Sequence, residues 1–104
     1  MNNKLLGALS MCRRAGGLVM GFDAVKESVQ KGKAYLVLVA SDLSPNTLKR
    51  VGYFCEDFEM EYHTMPVSID DLLAITPKAV GVFAITDGQL AKLVSSKLTK
   101  PTDQ

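Results

Sequence analysis

The chain has 104 residues, 47% of them hydrophobic and 22% charged, with four Pro and eight Gly. That composition supports one globular domain with one core, leaves no room for a second, and excludes collagen-like and low-complexity chains. The net charge of +1 is unevenly divided, since residues 1–52 hold eight Lys and Arg against three Asp and Glu, and residues 53–104 hold four against eight.

From Asn3, the apolar residues Leu5, Ala8, Leu9 and Cys12 recur at helical spacing, with Arg13 and Arg14 in the last turn, where cations suit the helix dipole. Gly16-Gly17 stops that helix, and Leu18-Val19-Met20 is a short apolar run. Gly21 then opens a second helix, whose Phe22, Val25 and Val29 share a face before Gly32 ends it. Residues 35–40 are apolar throughout, as expected of a strand covered on both faces at the sheet centre. Ser44-Pro45 is an N-cap with Pro at the first helical position, followed by Leu48, Val51, Cys55 and Phe58 as an apolar repeat. Residues 60–64 alternate, with Met60 and Tyr62 opposite Glu61 and His63, which predicts a half-exposed strand near an edge. Pro66 ends it. Ser68 with Asp71 has the form of a capping box for a short helix through Ala74, and residues 79–85 make a second apolar strand. Asp87 caps a last helix bearing Leu90, Leu93, Val94 and Leu98, and a frayed tail is expected from about residue 99. The alternation predicts one α/β domain over residues 1–104, a three-layer α/β/α sandwich around a mostly parallel or mixed sheet of about four strands.

The search for reactive chemistry returns mostly negatives. Cys12 and Cys55 lie far apart with no metal or redox spacing, so both read as buried, reduced thiols. His63 is the lone histidine and reads as a surface residue. Gly16, Gly17 and Gly21 fit neither the GxGxxG nor the GxxxxGK[ST] pattern, and Asp42 and Asp87 read as a turn residue and a helix cap rather than metal ligands. No catalytic residue, metal or cofactor is expected. The Met-Asn-Asn-Lys start lacks the long apolar stretch of a signal peptide, and no run is long enough to span a membrane, so the expected location is cytoplasmic.

What remains is the start of the second helix. Gly21-Phe22-Asp23 presents backbone N–H groups and a positive dipole end beside Lys26, with Lys31 and Lys33 one to two turns beyond, which suits a polyanion. Phe22 can stack on a base or anchor the helix; its shared face with Val25 and Val29 favours the anchor. If the basic half, including Arg13 and Arg14, also forms one face, its field would attract phosphates; scattered over a solvated surface, it would not.

The segments Arg14-Ala-Gly-Gly-Leu-Val-Met-Gly21, Lys31-Gly-Lys-Ala-Tyr-Leu-Val-Leu-Val-Ala-Ser-Asp42 and Ser44-Pro-Asn-Thr47, in that order and at that spacing, resemble the ribosomal protein L-seven-Ae family, most closely its small bacterial YlxQ-type members. The likeness runs from about Leu5 to Leu98. It implies a non-enzymatic protein of ribonucleoprotein particles or translation that binds structured RNA, ribosomal RNA or the sharply bent kink-turn. In that family a Gly-x-Asn-Glu-x-x-Lys motif opens the second helix, and a loop before the last strand packs on an extruded nucleotide. Here Gly21, Asp23, Ala24 and Glu27 occupy the motif positions, and the loop falls on Ile75, Thr76, Pro77 and Lys78. The departures weaken the expected kink-turn contact, because Asp23 lacks the amide donor, Ala24 has no polar group and Glu27 faces phosphate with like charge. Lys26 points about a quarter turn away and compensates in part. Ile75 and Pro77 are expected to form the platform for an unpaired base, unless Ile75 is instead the last core residue of its helix. The rival reading is a protein-interaction module that kept the fold, lost the RNA site and meets a protein partner in the translation machinery.

Overall fold

Two tetrapeptides without a polar side chain, Leu-Val-Leu-Val and Val-Phe-Ala-Ile, form the middle of a four-stranded sheet and are buried at every position. The computed structural model describes residues 3–98, and the tail expected to fray lies outside the described residues. The elements are α1 (Asn3–Arg14), β1 (Leu18–Met20), α2 (Phe22–Gln30), β2 (Leu36–Val39), α3 (Pro45–Asp57), β3 (Tyr62–Thr64), α4 (Ile69–Leu72), β4 (Val82–Ile85) and α5 (Gly88–Leu98).

The sheet order is β1-β4-β2-β3. β1, β2 and β3 follow one another through helical crossovers and share one direction, as alternating strand and helix requires. β4 runs against them and is inserted between β1 and β2, so two of the three pairings are antiparallel and the sheet is mixed. The reversal follows from a link through α4 that returns to the end of the sheet it left. The chain leaves β3 at the end where Met65 N–H donates to the Val39 carbonyl (2.8 Å), and it re-enters at Gly81, whose carbonyl accepts from Ala40 N–H at 2.9 Å.

Alternation along β2 and β4 sends side chains to two cores, which is the three-layer sandwich. Leu36, Leu38, Phe83 and Ile85 pack with α1, α4 and α5 on one face. Val37, Val39, Val82 and Ala84 pack with α2 and α3 on the other. The predicted face of α1 is buried, as are Val25 and Val29 of the α2 face while Phe22 is half-buried, and β3 is the half-exposed edge. In α3, Phe54 is buried where the apolar repeat had pointed to Phe58, which sits at the C-cap and is 46% exposed. The local signals hold. The Ser44 side chain accepts from Thr47 N–H, Ser68 and Asp71 make a full capping box, and Asp87 Oδ1 accepts from the N–H groups of Gln89 and Leu90. Asp42 does more than turn the chain, since its Oδ1 accepts from Ile69 N–H at 2.8 Å across 27 residues.

Candidate nucleic-acid interface

Gly21 fixes where α2 begins. Its N–H donates to the Val82 carbonyl at 2.9 Å, and its φ of 101° is a backbone state that a side chain would strain, although the space around it is open. No side chain caps the helix here, so the first-turn N–H groups are left to solvent at the sheet end where β4 begins. The segment containing Ile75–Lys78 leads into that same end, and α3 also starts there after β2. At its other end α2 closes on Gly32 (φ 71°), with Lys33 N–H donating to the Ser28 carbonyl.

The exposed residues of α2 divide between two sides. Ala24, Glu27, Lys31 and Lys33 border a depression of about 370 Å³ beside Val19 of the edge strand β1. Glu27 and Lys31 are ion-paired there at 2.8 Å, and the Lys31 ammonium holds the Glu27 carboxyl below its ordinary range, first through the hydrogen bond and then through its charge. Lys31 is therefore already engaged by the carboxylate that replaces the family lysine. Lys26 lines the opposite side of the helix, with Phe22 and Gln30. The structure thus does not bring Lys26 to the position of Glu27.

Phe22 is half-buried, edge-on to Phe54 with ring centroids 5.4 Å apart, and the Arg50 guanidinium lies 4.3 Å above its ring. That packing anchors Phe22 between α2 and α3, and Arg50, which the sequence does not single out, holds the ring from the α3 side, away from the Glu27 face of α2. The only signal for it is its place three residues before Tyr53 and seven before Asp57 on α3, beside the apolar stripe.

The loop differs from expectation. Ile75 is 5% exposed and Thr76 4% exposed, so neither offers a platform to a base. Turn hydrogen bonds from the N–H groups of Ile75 and Thr76 to the Leu72 carbonyl carry the chain on beyond α4, placing Ile75 on the buried side with Leu72. Arg13 donates to the Ile75 carbonyl at 2.7 Å, which commits this cation to holding the loop. Pro77 and Lys78 are exposed and remain available. The basic half does not form one face either, because Arg13 and Arg14 end α1 in one helical layer while Lys26, Lys31 and Lys33 lie on or just beyond α2 in the other.

Among the other polar candidates, Asp42 and Asp87 serve as backbone acceptors, and His63 is exposed on β3. Both thiols are buried. Desolvation raises the Cys12 pKa, with Asp87 adding to it, and pushes Cys55 up to about 11. Native protein at pH 8 is therefore expected to resist iodoacetamide at both positions and to take two labels once unfolded. Rapid labelling of either thiol in folded protein, followed by mass spectrometry, would contradict this burial. Among the described residues no group of three or more His, Cys, Asp or Glu could hold a metal, and no helix is long and apolar enough to cross a membrane.

The sequence profile of the ribosomal protein L7Ae/L30e/S12e/Gadd45 family matches residues 3–95. The RNA-binding protein YlxQ of Bacillus subtilis (strain 168) is 32% identical over 93 residues, covering 84% of this chain and 88% of that protein. Among solved structures, a Bacillus halodurans protein of unknown function superimposes with a TM-score of 0.83 at 23% identity, over 93% of this chain and 98% of its own. A Giardia lamblia 15.5 kD RNA binding protein does so with a TM-score of 0.74 at 22% identity, over 91% and 82%. These two share the fold.

Proposed function

The chain belongs to the ribosomal protein L7Ae/L30e/S12e/Gadd45 family, and from that premise we propose that it is a non-enzymatic binder of structured RNA in the cytoplasm, acting within translation or on ribosomal RNA. The observation that carries the reading is the uncapped start of α2, held by Gly21 against β4 at the sheet end into which the 75–78 segment leads. Its N–H groups suit a phosphate or a base edge in a widened groove, with Lys26, Lys33 and Lys78 exposed for the flanking backbone. The curated relative described as RNA-binding supports the same reading. Kink-turns are bound through this helix start, at an affinity reduced by Ala24 and Glu27. Pro77 and Lys78 provide the loop contact in place of Ile75 and Thr76.

Protein purified at low salt is expected to carry nucleic acid, visible in its absorbance ratio, and to shift a structured RNA on a native gel. Affinity should fall steeply with salt, each phosphate contact adding up to about 0.7 to 0.9 to the log–log slope. Lys26→Ala should remove about one contact from that slope while changing stability by less than about 0.5 kcal/mol, since the residue is exposed. Lys31→Ala should do less, because it also releases the Glu27 charge. Clean protein with no gel shift at low salt would overturn the proposal and favour a protein-interaction module on the same fold.

A further inference from the structure

On the side of α2 away from Glu27, a groove of about 270 Å³ runs between α2 and α3. Both helices start at the same end of the sheet and run the same way, because β1 and β2, which feed them, share a direction. Phe22, Lys26 and Gln30 form one wall at four-residue spacing, about 12 Å long at 1.5 Å per residue. On the facing wall, Tyr53 is 56% exposed and Phe58 46% exposed, which puts two aromatic rings within reach of a ligand in the groove. Lys26 and Arg50 have no carboxylate within ion-pair distance among the described residues, although Asp57 also lines the groove.

We propose that this groove is a second RNA subsite that holds one unpaired nucleotide, with its base against Tyr53 and Phe58 and its phosphate against Lys26 and Arg50. The inference rests on the RNA-binding reading above and extends it. Phe22 is both the first residue of α2 and the head of the groove, so a single strand leaving the helix start enters it directly. The charges give the site a polarity. Arg50 lies over Phe22 at the head of the groove and Lys26 one helical turn along its wall, while Asp57, two helical turns beyond Arg50, repels phosphate and can accept from a base N–H. Exposed aromatic rings beside unpaired cations are what single-stranded nucleic acid uses, for stacking and for its backbone. An apolar protein segment would bring no counter-charge to Lys26 and Arg50, neither of which is ion-paired to Asp57, and this opposes binding.

The test uses the full chain at low salt with two probes, a single-stranded uridine octamer and a kink-turn hairpin without a tail. The octamer is expected to bind, Tyr53→Ala and Phe58→Ala to weaken it about tenfold each, and Tyr53→Phe to preserve it, while the hairpin affinity stays unchanged in all three. An octamer containing 5-iodouridine should crosslink to Tyr53 or Phe58. If the hairpin binds and the octamer does not, or if octamer binding ignores the aromatic variants, the subsite is wrong and the α2 reading stands. If neither probe binds, both readings fall together. Should Tyr53→Ala lower the melting temperature and both affinities alike, Arg50→Gln decides: it must still weaken the octamer alone, and an unchanged affinity overturns the subsite.

Discussion

Ile75→Asp is expected to lose about 4 kcal/mol or more of folding stability, measured as a displaced midpoint in chemical denaturation. Removing a buried Ile side chain costs about 2–5 kcal/mol through lost transfer energy and the cavity left behind. A carboxyl group set among Leu72, Leu9 and Phe83 in the first core adds a desolvation penalty on top, and at neutral pH it must either take up a proton or open the structure. Against a total of about 5–15 kcal/mol for a domain of this kind, that is a large fraction. Arg13→Ala addresses the same loop from outside and should cost less, about 1.5–3 kcal/mol, the range for a hydrogen bond from a charged group, because the Ile75 carbonyl can turn to water. Lys78→Ala gives the contrast, weakening RNA binding with little change in stability, since its side chain is exposed. A loss below about 1 kcal/mol for Ile75→Asp would return that residue to the surface and restore it as a platform for a base.

The different fates of Ile75 and Ser68 show where sequence patterns stop being informative. Ser68 and Asp71 satisfy each other's backbone within four residues, a local arrangement that any environment leaves intact, and the capping box could be read directly. Ile75 was expected in a surface loop because the family resemblance sets that loop on residues 75–78, between a short helix and a strand. Its burial is decided by a turn that continues past α4 and by an arginine 62 residues away. Strand membership followed the same division. The apolar runs at 35–40 and 79–85 announced strands covered on both faces, and β2 and β4 lie within them, but the insertion of β4 between β1 and β2 depends on pairings that composition does not carry. At the interface, the spacing of Gly21, Asp23, Ala24 and Glu27 was legible because one helix and its N-cap hold all four. Arg50 was not, because its place over Phe22 exists only once α3 has packed on α2.

Asp23→Asn, Ala24→Glu and Glu27→Lys together are expected to tighten binding of a standard kink-turn RNA by tenfold or more. All three positions are exposed on the first two turns of α2, so the fold should accept them. The first change restores an amide donor at the helix start. The second supplies a carboxylate that can accept from guanine, and a good specific contact of that kind is worth about 1–3 kcal/mol. The third has a double effect that the structure makes visible. It replaces a repelling carboxylate with an attracting ammonium, and it also frees Lys31 from the 2.8 Å ion pair that now occupies it. The single variant Glu27→Gln isolates that release: it removes the pairing charge without adding a cation, so it should raise the salt sensitivity of RNA binding while leaving the melting temperature nearly unchanged, as expected of an exposed pair. Titrating the same RNA with parent, Glu27→Gln and the triple variant separates the outcomes. Tight binding by the parent would mean that Ala24 and Glu27 do not obstruct the kink-turn. No gain in the triple variant, with the fold intact, would mean that the obstruction extends past the helix start, to a loop whose Ile75 and Thr76 are turned into the protein and leave only Pro77 and Lys78 to meet the RNA.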